Sequence, residues 1–122
     1  MAETKKDRLI ALLKEMQKIG DINGSIVVSR DGLVIASNIT EIDADTFAAM
    51  SAAMQGAAET AASELKQGEI EQMIVETEKG KIISTGAGKR AILVIMTTKK
   101  ANLGLALLEM GKSAEKISNI LK

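Results

Sequence analysis

The sequence predicts an α/β protein of the α+β kind, with elements in the order α-β-β-α-β-β-β-α. Three observations predict it. Apolar residues recur at helical spacing in three separate segments, near the start, in the middle and at the end of the chain. Short runs rich in Ile and Val lie between those segments. Glycine-containing turns such as Asp31-Gly32 join the runs, and tight turns of that kind make antiparallel hairpins.

The first helix is expected over Lys5 to Ile19, where Leu9, Leu12, Leu13, Met16 and Ile19 keep the i, i+3, i+4, i+7 rule. Gly20 should end it. Two strands follow, Ser25 to Ser29 and Leu33 to Ser37. Their cores, Ile26-Val27-Val28 and Leu33-Val34-Ile35, are continuous rather than alternating, which is the pattern of strands buried on both faces. Helices should therefore cover both sides of the sheet.

The central helix, Asp43 to Lys66, organises the chain. Asp43 is its expected N-cap, and Asp45 suits the positive end of the helix dipole. Gly68 should close it. On a wheel of 100° per residue it shows two faces. Phe47, Met50, Met54, Ala58, Ala61 and Leu65 form a bulky apolar stripe, expected on the sheet. Ala49, Ala52, Ala53, Gly56, Thr60 and Ser63 form a second stripe of small side chains, over which another helix could come close.

A second hairpin is read from Ile74 to Thr85, after a strand expected over Glu69 to Thr77. Glu71 and Glu76 break the apolar run of that strand, and partial polarity suits a sheet edge. After the turn "GAGK", Arg90 to Thr97 reads as a central strand. The last helix, Asn102 to Leu121, carries the stripe Leu103, Ala106, Leu107, Met110, Ala114, Ile117 and Leu121. Leu105 and Leu108 widen its first half, and the first helix is its expected partner. No linker or composition break divides residues 1–122, so a single domain is expected.

Composition restricts chemistry. The 122 residues include no His and no Cys, which removes the common zinc and haem ligands and the usual general base at neutral pH. With one Phe and neither Trp nor Tyr, there is no platform for stacking bases, and no nucleic-acid partner is expected. No apolar run is long enough to span a membrane, and the first residues lack a signal-peptide core, so the cytoplasm is expected, without direct membrane insertion. The charge is balanced but unevenly spread: between Glu41 and Glu78, nine acidic residues face one basic residue, Lys66.

"STGAGKR" (Ser84 to Arg90) invites a phosphate-loop reading and fails it. The earlier glycine of that motif falls on Ile83, Arg90 replaces the Ser or Thr that would hold magnesium, and a strand follows where a helix is required. A hairpin turn is the better reading. Asp43 and Asp45 are explained by capping and do not fit a calcium loop. No catalytic, metal or cofactor site is expected.

With its elements in this order, the chain resembles the Roadblock family of dynein light chain-type domains. The resemblance is carried by "GSIVVSRDGLVIAS" after a first helix, by "FAAMSAAMQGAAETAASEL", by "IVETEKGKIISTGAGKRAILVIMTT" and by "ANLGLALLEMGKSAEKI". It implies a five-stranded antiparallel sheet with the second helix on one face and the first and last helices on the other. It also implies a homodimer in which the third strands abut and the second helices lie side by side. On this chain the interface would comprise Ala49, Ala53, Gly56 and Thr60 of the helix with Glu69, Ile70, Glu71, Met73 and Val75 of the strand. Members of the family commonly regulate Ras-like small GTPases, so a GTPase is the implied partner. Glu41, Asp43, Asp45 and Ala52 are the candidate surface for it. A non-catalytic GTPase regulator or adaptor is thus expected. A structural light-chain scaffold without GTPase contact and a small-ligand or peptide sensor of profilin-like fold are the alternatives.

Overall fold

Thr4 and Asp7 cap the first helix reciprocally. The Asp7 amide donates to the Thr4 hydroxyl and the Thr4 amide donates to the Asp7 carboxylate. From this cap, in a computed structural model that describes residues 3–122, the chain runs through α1 (Lys5–Gln17), β1 (Ile22–Ser29), β2 (Val34–Asn38) and α2 (Ala44–Glu64). It continues through β3 (Met73–Glu76), β4 (Gly80–Gly86), β5 (Ala91–Thr98) and α3 (Leu103–Leu121). The five strands form one sheet in the order β2-β1-β5-β4-β3, and every neighbouring pair is antiparallel.

Side chains of β1 and β5 alternate between two cores, as the period of a strand requires. Val27, Leu93 and Ile95 point to the side where Leu9 and Leu13 of α1 meet Met110 and Ile117 of α3. Ile26, Val28, Ile92 and Val94 point to the other side, against Phe47 and Ala48 of α2. This is the arrangement expected of strands without polar alternation. The stripe predicted for α3 is the one that turns inward, with Ala106, Met110, Ala114 and Ile117 buried.

Several boundaries differ from expectation. β1 begins three residues early, at Ile22, because Ile22 and Gly24 already pair with β5. β2 is an outer strand, so most of it is only half-buried despite its apolar run. Leu33 falls in the turn and is exposed. Gly32 holds that turn at φ +90, a backbone conformation that a residue with a side chain rarely adopts, and sits beside Ala49 and Ala52 of α2. α2 ends before Gly68: Leu65 is its C-cap, and Lys66 takes the left-handed conformation at φ 57. Leu105 and Leu108 stay exposed, because α1 packs against the opposite side of α3.

The largest difference is the rotation of α2. The bulky stripe was expected on the sheet, yet Met50 and Leu65 are 57% and 70% exposed. The buried residues are Phe47, Ala48, Ser51 and Gln55. Their mean direction is turned by roughly 70° from the predicted stripe, at 100° per residue. The cause is a polar one: Ser84 of β4 donates a hydrogen bond to the Gln55 side-chain oxygen at 2.8 Å, so a polar residue can be buried there.

Candidate functional site

α2 caps as predicted. The Asp43 carboxylate accepts from both the amide and the hydroxyl of Thr46, at 3.0 and 2.9 Å. Glu41, Asp43 and Asp45 are all exposed at this end of the helix. Ala52 does not join them. It is half-buried beneath the β1–β2 turn, where it packs on the Phe47 core.

Ala49, Ala53, Gly56 and Thr60 lie on the exposed side of α2. A Cβ added at Gly56 would meet nothing within 4 Å. With Met50 and Leu65 beside them, these residues make an outward face low in charge. Such a face on a surface helix is unusual, since solvent-facing stripes are normally polar.

β3 is an edge strand, as its polarity suggested. Met73 pairs with Ser84 and Val75 with Ile82. Ser84 reaches Gln55 and Ile82 packs on the Phe47 core, so Met73 and Val75 share the α2 side of the sheet. Both are half-buried. The expected strand, however, is longer than the real one: Glu69, Ile70 and Glu71 precede it. Beyond Ser84 the ladder stops, and the Thr85 hydroxyl donates to the Glu71 carbonyl at 3.1 Å in its place. The structure thus places Met73 and Val75 with the α2 face and leaves Glu69 to Glu71 in a loop.

That loop borders a cleft of about 770 Å³ between the C-terminal half of α2 and the β4–β5 turn. Arg30, Gln55, Glu59, Glu69, Gly86 and Lys89 are among its walls. Arg30 donates to the Glu59 carboxylate at 2.9 Å and to the Gly88 carbonyl at 3.0 Å. Neither Gln55 nor Glu59 is read from the sequence as a site residue. The available signal was a glutamine on a face of α2 with Glu59 one turn on, at the i, i+4 spacing at which side chains meet. Among the described residues there is no group of His, Cys, Asp or Glu that could hold a metal ion.

The sequence model of the Roadblock/LC7 domain matches residues 9–97. The chain belongs to the Roadblock/LC7 family. An uncharacterised protein of Methanocaldococcus jannaschii is 46% identical over 107 residues, which cover 87% of this chain and 93% of that one. Myxococcus xanthus MglB superposes with a TM-score of 0.89 at 23% identity, covering 99% of this chain and 92% of that chain. A Roadblock/LC7 domain from Streptomyces avermitilis superposes with a TM-score of 0.87 at 21% identity, covering 92% of this chain and 96% of its own. At those identities the likeness is one of fold. It agrees with the sheet and helix layers described above. No helix among the described residues is long and apolar enough to cross a membrane.

Proposed function

We infer that this Roadblock/LC7 chain is a cytoplasmic, non-catalytic homodimeric regulator or adaptor of a Ras-like small GTPase. The observation that carries this reading is the pairing of two unfinished surfaces on one side of the sheet. One is the low-charge outer face of α2, with Ala49, Ala53, Gly56 and Thr60 exposed. The other is the free edge of β3, with Met73 and Val75 only half-covered. A second copy would cover both at once: a two-fold axis beside β3 extends the sheet and sets one α2 next to the other. The interface should be of standard size, about 1,600 Å² in total.

Dimerisation would present two acidic helix starts, each with Glu41, Asp43 and Asp45, to a partner with a basic face. The GTPase as partner class comes from the family role and the protein's own surfaces fit it. Affinity capture from the native lysate tests it, with and without a non-hydrolysable GTP analogue. A GTPase retained in a nucleotide-dependent way is the expected result. Capture of a large assembly without any GTPase would favour the light-chain scaffold.

A further inference from the structure

The cleft beside α2 has the chemistry of a ligand site, and the GTPase reading neither requires it nor explains it. Gln55 forms part of its lining although only 3% of the residue is exposed. The amide orientation is fixed by its neighbours. Its oxygen accepts from Ser84, and its nitrogen faces the Glu59 carboxylate, which can only accept. That second contact is 3.5 Å long. A nearly buried carboxamide is therefore left with donor capacity unused at the cleft.

The charges around it are arranged in two sets. Arg30 and Glu59 neutralise each other across the cleft wall. Lys89 on the β4–β5 turn and Glu69 on the α2–β3 loop make no ion pair among the described residues. One wall thus offers a free ammonium and the other a free carboxylate. A phosphate would bring more negative charge than the one free ammonium can balance and would face the unpaired Glu69, which argues against reading the neighbouring "GAGK" as an anion loop. A single-charge ligand would satisfy one wall and desolvate the other.

We propose that this cleft binds a small zwitterion, a free amino acid or a peptide of two or three residues, with its carboxylate toward Lys89 and the Gln55 amide and its ammonium toward Glu69. The half-open cleft has room for such a ligand, and Ile70 beside Gly86 supplies an apolar stretch for a small side chain. The site would make the regulator responsive to a metabolite.

The test is a titration of isotope-labelled protein followed by amide NMR shifts. The probes are glycine, L-leucine, Gly-Gly and tri-glycine, with acetate and methylamine as single-charge controls. The expected result is saturable shifts at Gly68, Glu69, Gly86 and Gly88 with at least one zwitterion, and binding of either control weaker by roughly tenfold, the size of one charge-assisted contact. Free amino acids and peptides are told apart by which probe saturates first. Lys89→Ala and Glu69→Gln, both at exposed positions, should each weaken binding by a similar factor while the amide spectrum away from the cleft keeps the wild-type pattern. Absence of shifts at millimolar zwitterion would overturn the proposal. So would acetate binding as tightly as glycine, which would mean an anion site, or binding that survives both substitutions.

Discussion

The Ser84 hydroxyl and the Gln55 carboxamide meet at 2.8 Å inside the protein, 29 residues apart in the chain. This bond ties α2 to β4 and sets the rotation of the helix against the sheet, because each residue is buried and each answers the other. Removing one partner should leave the other buried and unpaired. Ser84→Ala and Gln55→Met should each destabilise by about 1–3 kcal/mol. The double variant should cost clearly less than the two losses added. Urea unfolding of the four proteins measures the coupling, and simple additivity would show that the bond does not hold the helix.

Ser51 presents the opposite case. Its hydroxyl is fully buried between α2 and the sheet and has no hydrogen-bond partner among the described residues. Ser51→Ala removes an unsatisfied group and supplies a better helix former. The expected gain is about 1 kcal/mol, or roughly 3 °C in Tm. A thermal melt that moved downward would show that the hydroxyl is used.

These two serines also mark what the sequence makes legible and what it hides. Element order, the edge position of β3, the Asp43 cap and the inward stripe of α3 follow from local periodicity, turn chemistry and polarity, which act within a few residues. The rotation of α2 does not. A wheel ranks Met50 and Leu65 above Ser51 and Gln55 as core, and only the distant Ser84 reverses the order for Gln55. The Arg30–Glu59 contact is hidden for the same reason: it joins a hairpin turn to a helix 29 residues away. The length of β3 was misjudged because ladder pairing stops at Ser84, a property of β4 and not of the residues before Met73.

Gly56 separates folding from assembly. A Cβ there meets nothing within 4 Å, and glycine is a poor helix former. Gly56→Arg should therefore leave the single chain as stable or more so, by up to about 1 kcal/mol. In a dimer with α2 against α2, the same side chain would force apart helices that normally pack 8–10 Å from each other, in the general range for helix pairs of about that distance. Light scattering should show twice the chain mass for the wild type and a folded monomer for Gly56→Arg. Lys14→Ala, on the exposed side of α1, is the control and should remain dimeric. A Gly56→Arg protein that stays dimeric would place the interface elsewhere.

The last prediction concerns how a GTPase would be affected. An arginine inserted into a nucleotide site raises hydrolysis by about a thousandfold or more. The arginines of this chain are Arg8, Arg30 and Arg90. Arg8 stands on α1, on the side of the sheet away from α2. Arg90 stands at the β4–β5 turn. Arg30 lies against α2 but is engaged there, with the Glu59 carboxylate and the Gly88 carbonyl both accepting from its guanidinium. None stands at the acidic start of α2 with Glu41, Asp43 and Asp45, where the partner is expected to dock. Any stimulation should come from ordering the GTPase's own residues, so Arg→Ala at each position should change stimulated turnover by no more than about twofold, far below the loss of a finger. Association should also slow as salt rises, because the acidic helix starts would steer a basic face. Turnover with the captured GTPase is measured for each variant alongside its binding. A collapse of stimulation with binding intact, at any one arginine, would show that this chain does supply a finger.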